Sequence, residues 1–397
     1  METVPCLRVS RCRAQQFRED LQSRNFLDRS LCIVNEPTGT VLLPVLPSSL
    51  PQLDVTFLKE VATVWCEPSL VSKKERSKRR SDELENFLQE LVEAYGESWT
   101  KELKEDLPRS FQRHGDLVLL GHKCFSLPLW KKMDQRLWRA VAKGLGAKRL
   151  AKMSRISGDG FRSPRVTVLL GDRTWVKHVD NGITYEFDVT KCMFSAGNIT
   201  EKLRVAGFDC RGETVVDLYA GIGYFTLPYL VHAKAAHVHA CEWNPHALEA
   251  LRKNLASNRV QDRCTVHPGD NRQVQLCNIA DRVNMGLIPS SEDSWPVACR
   301  LLKKTTGGIL HIHQNVTSPK TAAASQGSRD VDCRVPGKRP DGEAWRTWAG
   351  ETAVRIARLL EELTATVWRT NVRHIEHVKS YAPHVHHVVL DLECRPT

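Results

Sequence analysis

The sequence predicts an α/β protein in which a Rossmann-like domain with a parallel sheet follows a smaller α+β region. Short apolar runs rich in β-branched residues occur at 214–219, 237–241 and 264–267, as expected for buried parallel strands. Between them lies a helical pattern of apolar residues, clearest at 247–258. Alternating strands and helices are typical of a parallel sheet covered by helices. A chain of 397 residues is long enough for two domains.

A glycine turn joins the first of these strands to an apolar helix. Gly221 and Gly223 allow positive φ angles and let a ligand approach the backbone closely. The helix that follows presents free N–H groups and the positive end of its dipole. We therefore expect the backbone of Tyr219, Gly221 and Gly223 to surround a bound ligand.

Polar residues follow the second and third strands. Glu242 ends the second strand, at the distance of about 20 residues from the glycine turn at which a carboxylate usually binds ribose hydroxyls. Asp270 and Asn271 follow the third strand. Because open α/β sheets bind ligands at the carboxyl ends of their strands, we expect Glu242 to bind a ribose and Asp270 an adenine amino group, with Asn271 beside it.

The turn indicates a nucleoside without phosphate. Tyr224 and Phe225 stand where a dinucleotide-binding turn would continue toward its third glycine, and no Lys-Ser/Thr pair follows as in a P-loop. Asp217, next to the turn, would favour a cationic ammonium group over a phosphate. S-adenosylmethionine meets these conditions, so we expect it as group donor in a domain like the class I S-adenosylmethionine-dependent methyltransferases, with Asp217 near its charge. The alternative is an α/β domain without a cofactor.

Composition limits the possible partners and compartments. A formal charge of +11 suggests a polyanionic partner. The 13 cysteines contain no Cys-x-x-Cys pair, which argues against a zinc ribbon or a disulfide framework and indicates a reducing, cytoplasmic location. The acid-free stretch between Glu2 and Glu19 leaves a mitochondrial leader as the alternative. No apolar run reaches the length of a membrane span.

The chain is expected to have four parts. Residues 32–34 and 40–45 predict two strands around a turn, within a small N-terminal module. The basic run KKERSKRR, from residue 73, is expected to be a solvated linker before a helix capped by Ser81 and Asp82. The expected parts are a small α+β module (1–72), a charged linker (73–82), an α+β substrate-binding region (83–195), and the Rossmann-like catalytic domain (196–397, with a long surface loop at 314–342).

The third part is predicted to contain a basic antiparallel meander. A strand at 117–120 and a helix at 137–145 are expected before strands at 166–170, 175–179 and 183–187. An excess of basic residues around these strands favours contact with a nucleic acid backbone over a merely solvated face. The residues that we expect to contact phosphates are Lys148, Arg149, Arg155 and Arg165.

Several motifs resemble one enzyme family. The segments DLYAGIGYFTLPYL, HACEWNPHALEALRKNL and GDNR are similar to those of the wybutosine-synthesising tRNA aminocarboxypropyltransferases. These enzymes are relatives of the methyltransferase that acts on N1 of guanosine beside the anticodon. The resemblance covers most of the chain from about residue 100 onward, and its other segments are 111–120, 178–204, 286–291, 307–315 and 378–393.

The resemblance implies a reaction and a partner. The family transfers the 3-amino-3-carboxypropyl group of S-adenosylmethionine to C7 of 4-demethylwyosine at position 37 of tRNA(Phe), and methylthioadenosine is released. The expected partner is therefore the anticodon loop of tRNA(Phe). The resemblance also places Ser195 and Lys202 among the residues that contact the donor. The sequence does not determine the oligomeric state, and we expect a monomer.

The end of the fourth strand is where the acceptor base is expected, near Asn284, Pro289 and Ser290. Methyltransferases of exocyclic amines on bases often carry Asn-Pro-Pro-aromatic there, whereas this chain has Gly-Leu-Ile-Pro-Ser-Ser over 286–291. The difference argues against ordinary N-methylation. A guanine-N1 methyltransferase acting at position 37 and a catalytically silent tRNA-binding protein remain the alternatives. No residue is identified as the base that removes the C7 proton, and no metal is expected at His311 and His313.

Overall fold

The computed structural model describes residues 3–10, 13–36, 39–53, 62–66, 73–158, 160–318 and 340–397. The chain divides into two compact units. The first unit comprises residues 1–111, 123–150 and 169–171, and the second comprises 112–122, 151–168 and 172–397. The second unit therefore includes residues between 112 and 195 that the sequence places in a separate substrate-binding region.

The first unit contains a small antiparallel sheet with a helix packed on it. Two strands lie near the predicted positions 32–34 and 40–45, at Val34–Asn35 and Thr40–Pro44, and Val34 pairs with Leu42. Leu7, Phe17 and Leu21 are buried in the core between sheet and helix. The elements are β1 (Val4–Ser10), α1 (Ala14–Ser23), β2 (Val34–Asn35), β3 (Thr40–Pro44) and β4 (Ala62–Cys66), and the strand order is β2-β3-β1-β4.

A long helix replaces the predicted charged linker. Helix α2 (Lys73–Ala94) begins within the basic run and continues through the predicted cap without a break. Lysine, arginine and glutamate are good helix formers, and the run contains no glycine or proline, so its intrinsic propensity is helical. Leu84, Leu88 and Val92 form a buried apolar stripe on this helix. Two further helices of this unit are α3 (Lys101–Glu105) and α4 (Pro128–Leu145).

The predicted meander is two separate sheets. One sheet has the order β5-β6-β7-β8, with β5 (Phe111–His114), β6 (Leu117–Leu120), β7 (Arg149–Ile156) and β8 (Pro164–Leu170). The other is the hairpin of β9 (Trp175–Asp180) and β10 (Ile183–Asp188). Its turn is the predicted one, because Asn181 and Gly182 have φ angles of 48° and 74°. Strand β7 was missed, since its polar residues interrupt the apolar pattern.

The central sheet of the second unit confirms the predicted Rossmann-like fold. Within the described residues it has seven strands in the order β13-β12-β11-β14-β15-β17-β16. The first five strands along the chain pair in parallel, and β17 is antiparallel to both of its neighbours. The strands are β11 (Thr214–Asp217), β12 (His237–Glu242), β13 (Cys264–Pro268), β14 (Arg282–Met285), β15 (Gly308–Thr317), β16 (Trp368–Ala382) and β17 (Val385–Pro396).

Helices cover both faces of this sheet, as a parallel sheet requires. Val215 packs in one hydrophobic cluster with Leu227, and Val216 packs in another with Trp295 and Ile356. The helices are α5 (Ile199–Ala206), α6 (Thr226–Val231), α7 (Pro245–Ser257), α8 (Trp295–Leu301) and α9 (Pro340–Thr364). None of the helices in the described ranges combines the length and apolarity needed to cross a bilayer.

Both ends of the predicted loop at 314–342 lie in regular secondary structure. Strand β15 continues to Thr317, and α9 begins at Pro340. Most of the predicted loop, residues 319–339, lies outside the described residues. Residues 314–317 and 340–342 therefore belong to a strand and a helix and not to the predicted loop.

A buried ionic network ties α5 to the sheet. Arg204 forms ion pairs with Glu201 at 2.8 Å and with Asp391 on β17. Asp391 also lies 2.7 Å from Nδ1 of His311 on β15. Burial raises the pKa of Glu201, whereas the pKa of Asp391 is held low by His311 and Arg204 although burial opposes this. The network leaves Asp391 with an ionised carboxylate inside the fold.

We expect Asp391→Ala to destabilise the protein strongly. The substitution removes the carboxylate and leaves the Arg204 guanidinium in the fold without that partner. Breaking a buried ion pair in this way typically lowers the free energy of unfolding by about 3–5 kcal/mol. Urea unfolding followed by circular dichroism measures the change. Asp209→Ala, which removes a solvent-exposed ion pair with Arg211, is the control and should change the urea midpoint little. Equal midpoints for wild type and Asp391→Ala would contradict a stabilising network.

Candidate active site

A cavity of about 700 Å³ lies in the second unit at the carboxyl ends of the parallel strands. Strand β11 has β12 on one side and β14 on the other, so the strand order reverses there. Open α/β sheets bind ligands at such a switch point. The volume is within the range of about 300–1,000 Å³ found for small-molecule sites. Its wall includes Leu218, Tyr219, Gly221, Glu242, Trp243, Asp270, Asn271, Gly286, His114, Phe194, Ser195 and Lys379.

The predicted glycine turn contributes Gly221, Ile222, Tyr224 and Phe225 to the cavity wall, whereas Gly223 does not line the cavity. Gly221 has a φ of 57°, and a Cβ on it would lie 2.6 Å from the ring of Tyr224. Gly223 has a φ of 101°, and a Cβ there would lie 3.1 Å from the side chain of Leu227. Both φ angles favour glycine, and at Gly221 a Cβ would also overlap the ring of Tyr224.

Glu242 lines the cavity and also holds the turn. Its carboxylate accepts hydrogen bonds from the backbone N–H groups of Gly221 at 2.7 Å, Trp243 at 2.9 Å and Asn244 at 2.8 Å. Burial raises the pKa of Glu242, and the three N–H donors oppose that shift. The structure thus places Glu242 where the sequence predicts it, at the end of β12 facing the cavity. Its contact with a ribose remains a prediction.

Asn271 connects the wall of the cavity to the end of β11. The side chain is buried, and its Nδ2 donates to the carbonyl of Leu218 at 2.7 Å. Its Oδ1 accepts from the hydroxyl of Ser294 at 2.8 Å, and that hydroxyl lies 2.5 Å from the hydroxyl of Tyr219. Tyr219 and Asn271, both predicted site residues, are therefore joined by a chain of hydrogen bonds.

Asp270 lies in the cavity wall beside Asn271. Its carboxylate caps a short 3-10 helix by accepting from the backbone N–H of Arg272, and it also forms an ion pair with that side chain. The Arg272 guanidinium lowers the pKa of Asp270. Asp270 therefore lines the cavity as an ionised carboxylate that is already paired with the Arg272 guanidinium.

The structure corrects the expected role of Asp217. The side chain is fully buried, and it is not part of the cavity wall. It accepts hydrogen bonds from the Thr226 hydroxyl at 2.8 Å and from the Asn284 amide at 3.0 Å, and burial raises its pKa. Asp217 and Asn284 thus lie beneath the turn, where neither side chain reaches a ligand in the cavity.

The end of the fourth strand contributes only its first part to the cavity. Residues 286–288 line it, whereas Pro289 and Ser290 do not. The carbonyl of Pro289 accepts from the N–H of Asn315 at 2.8 Å, and the Ser290 hydroxyl accepts from the N–H of Glu292 at 3.2 Å. These bonds hold Pro289 and Ser290 outside the cavity wall, so we now expect residues 286–288 to face the acceptor.

The two residues assigned to the donor by resemblance have different positions. Ser195 lines the cavity. Lys202 is 3% exposed and is not part of the wall. It forms an ion pair with Asp180, and its ammonium group lies 5.3 Å and 5.1 Å from the ring centroids of Tyr185 and Phe194. Lys202 therefore packs against Phe194 on the side away from the cavity, so it contacts the aromatic wall formed by Phe187 and Phe194 and does not face a ligand.

Lys379 is a cavity residue that sequence reasoning missed. It comes from β16, and its Nζ donates to the hydroxyl of Ser195 at 3.3 Å and to Oδ1 of Asn198 at 3.0 Å. Ser195 lies 184 residues away along the chain, so no local pattern connects the two. The segment 378–393 carried a family resemblance, but nothing in its spacing set Lys379 apart.

His114 is a second missed residue of the wall. It is 2% exposed, and its Nδ1 lies 3.4 Å from Nδ1 of His178. Its ring centroid lies 5.4 Å from those of Phe187 and Phe194. Burial, with a smaller contribution from His178, lowers the pKa of His114 to about 4. The imidazole is therefore neutral near physiological pH.

We expect His114 to make the fold sensitive to acid. Below a pH of about 6.5 the unfolded chain binds a proton at this position, but the folded chain does not until the pH approaches 4. The stability contributed by neutral His114 is thus complete above about pH 6.5, and about 2–3 kcal/mol of it is lost as the pH falls toward 4.

Urea unfolding of wild type and His114→Leu between about pH 7.5 and 4.5 tests this expectation. His114→Leu should show a smaller loss of stability on acidification than wild type. His122→Leu, at an exposed position, controls for the loss of a histidine. Identical pH dependence in wild type and His114→Leu would contradict a neutral buried His114.

The predicted phosphate-binding residues are only partly exposed. Lys148 and Arg165 are exposed. Arg149 is buried, and its side-chain stem packs against Gly171, where an added Cβ would lie 2.8 Å from Cγ. Arg155 lies on β7, and its side chain is outside the described part of the structure. The structure therefore removes Arg149 from the predicted phosphate contacts and leaves Lys148 and Arg165 as candidates.

The buried histidines of β15 contact other side chains. Nδ1 of His313 lies 3.1 Å from Nε2 of His387, and burial lowers the pKa of His313 well below its ordinary value. Nδ1 of His311 lies beside Asp391. Across the described ranges, no three histidine, cysteine, aspartate or glutamate side chains are arranged to hold a metal ion.

Family models match three consecutive parts of the chain. Residues 176–329 match the TRM5/TYW2 methyltransferase domain. Residues 91–174 and 7–78 each match a TYW2 N-terminal domain. The methyltransferase match includes the glycine turn, Glu242 and Asn271, which form the wall of the cavity described above.

Full-length relatives and a solved structure agree with these matches. The chain is 55% identical over 407 aligned residues to the tRNA wybutosine-synthesizing protein 2 homolog of Danio rerio, with 100% of both chains covered. It is 49% identical to the Homo sapiens homolog, with 96% of this chain and 92% of the other covered. The crystal structure of P. horikoshii TYW2 in complex with MeSAdo is 30% identical, with a TM-score of 0.57 and coverage of 77% and 98%.

Proposed function

Because the chain belongs to the tRNA wybutosine-synthesizing protein 2 family, we infer that it is a tRNA aminocarboxypropyltransferase. It transfers the 3-amino-3-carboxypropyl group of S-adenosylmethionine to C7 of 4-demethylwyosine and releases methylthioadenosine. The observation that carries this conclusion is identity of 55% over the whole length of a family member. The relative solved with MeSAdo supports a nucleoside site in the same domain.

The residues of the cavity fit the donor. Gly221 lines the cavity and has no side chain, so a nucleoside can approach the backbone of the turn closely. The partly buried carboxylate of Glu242 lies at the end of β12, where ribose hydroxyls are usually bound. When bound, the donor supplies a sulfonium that activates several carbons, and its orientation decides which carbon faces the acceptor. We propose Gly221, Glu242, Asp270, Asn271 and Ser195 as its contacts.

The acceptor is a base of tRNA, and we propose the anticodon loop of tRNA(Phe) as the region that is bound. A base at position 37 lies in a single-stranded loop, so it can be turned outward at modest cost. Residues 286–288 line the cavity, and we propose that they face that base. Exposed Lys148 and Arg165 are candidates for contacts with the tRNA backbone, which would weaken as salt increases.

We propose that the protein acts as a monomer in the cytoplasm. In the described part of the chain, Cys6, Cys124 and Cys210 are among the cysteines that are free thiols. Free buried thiols suit a reducing compartment. The monomeric state stays a prediction.

Product analysis tests the proposed reaction directly. The protein is incubated with S-adenosylmethionine and tRNA(Phe) that carries 4-demethylwyosine, and the nucleoside by-product is identified by mass spectrometry. We expect methylthioadenosine together with a tRNA base that is heavier by one aminocarboxypropyl group. The same tRNA without 4-demethylwyosine is the control and should give neither product. S-adenosylhomocysteine as by-product would instead assign the protein to methyl transfer.

We expect Glu242→Ala to weaken binding of S-adenosylmethionine. Loss of a carboxylate that accepts ribose hydrogen bonds should raise the Kd about 10–100-fold. Calorimetry without tRNA measures the change. Glu242→Gln keeps the side-chain shape beside Gly221 and separates the loss of charge from a change in the turn. Glu362→Ala, at an exposed position on α9, is the control. A Kd near that of wild type for Glu242→Ala would rule out the ribose contact.

A further inference from the structure

Lys379 is directed into the cavity by an irregular part of its strand. The pairing of β16 with β17 shifts register between His377 and Lys379 and again between Ser380 and Ala382. Such bulges change the direction of a side chain relative to the regular alternation of a strand. The result is a lysine from the edge strand of the sheet that lines the active-site cavity.

The ammonium group of Lys379 has neutral partners. It donates to the Ser195 hydroxyl at 3.3 Å and to the Asn198 amide oxygen at 3.0 Å, and it lies 4.9 Å from the ring centroid of Tyr381. Among the described residues, no carboxylate lies within ion-pair distance of this group. A partly buried cation without a counter-ion is costly, so an anionic ligand group would be stabilised beside it.

The space around Lys379 depends on a glycine. A Cβ on Gly197 would lie 3.0 Å from Nζ and 3.2 Å from Cδ of the lysine. Ser195, Gly197 and Asn198 therefore form a short segment over which the lysine side chain passes. This packing holds the ammonium group beside two side chains that can also contact a ligand.

The other arginine and lysine side chains of the cavity wall are placed differently. Arg272 is paired with Asp270. Arg162 follows Phe161 in the chain, and the ring centroid of Phe161 lies 5.8 Å from that of Trp243. Trp243 is the residue directly after Glu242, the proposed ribose contact. Among the described residues that line the cavity, Lys379 differs from both arginines. Unlike Arg272, it has no carboxylate partner in the described part of the chain, and unlike Arg162, it does not belong to the segment that packs beside Glu242.

We propose that Lys379, with Ser195 and Asn198, binds the carboxylate of the aminocarboxypropyl arm of S-adenosylmethionine. This inference rests on the proposed function, because the arm carries the only anionic group of that donor. Two hydrogen-bonding side chains and one cation match a carboxylate, which accepts several donors at once. Holding the arm at its far end would restrict the orientation of the methylene that is transferred.

Calorimetry with two ligands tests the subsite. S-adenosylmethionine carries the carboxylate, and methylthioadenosine has the same nucleoside but lacks the arm. Lys379→Met should raise the Kd for S-adenosylmethionine about 10–100-fold, because a charge-assisted hydrogen bond is lost. Its Kd for methylthioadenosine should stay at the wild-type value. Lys304→Met makes the same change at an exposed position and should alter neither Kd.

The variant Lys379→Gln and a measurement of tRNA binding distinguish the proposal from a structural role and from a phosphate contact. Lys379→Gln keeps a hydrogen-bond donor for Ser195 and Asn198 without the charge, and it should reproduce the selective loss if Lys379→Met folds poorly. Equal losses for both nucleosides would overturn the proposal, since they indicate a structural role. Unchanged donor binding with weaker binding of tRNA would also overturn it and assign Lys379 to a phosphate. These measurements involve no group transfer, so they are independent of the product analysis.

Discussion

The buried carboxylate of Asp217 joins three elements where the order of the central sheet reverses. It ends β11, accepts a hydrogen bond from Thr226 at the start of α6, and accepts another from Asn284 on β14. A buried carboxylate is tolerated only when its oxygens are satisfied, so these three positions constrain one another. The glycine turn lies directly above this point, and the position of the cavity wall therefore depends on a side chain that does not itself line the cavity.

The residues that line the cavity hold its wall together as well. Glu242 binds the backbone of Gly221, and Asn271 binds the carbonyl of Leu218. Glu242 at the end of β12 and Asn271 after β13 both bond to the backbone that follows β11. These bonds organise the site before a ligand arrives. Preorganised groups lose less entropy on binding. The same bonds mean that substitutions here affect both ligand binding and the local fold, which is why shape-conserving variants are informative.

Local sequence patterns determined much of the fold and part of the site. The β-branched runs identified the parallel strands, and the glycine turn predicted the backbone at Gly221 and Gly223, because both features depend on residues close in the chain. The expected linker from residue 73 became helix α2, since its charged residues also favour a helix. The single predicted meander became two sheets, because strand pairing depends on contacts between distant residues that periodicity does not report.

Only the tertiary structure decided which charged side chains face the cavity. Lys202 and Lys379 are both lysines within segments of family resemblance, yet Lys202 is paired with Asp180 behind the aromatic wall and Lys379 lies in the cavity. The direction of Lys379 follows from register shifts between β16 and β17, and the burial of Arg149 follows from packing against Gly171. The sequence by itself determined the elements and the chemistry of their ends. Register and packing between distant segments decided which of those groups can meet a ligand.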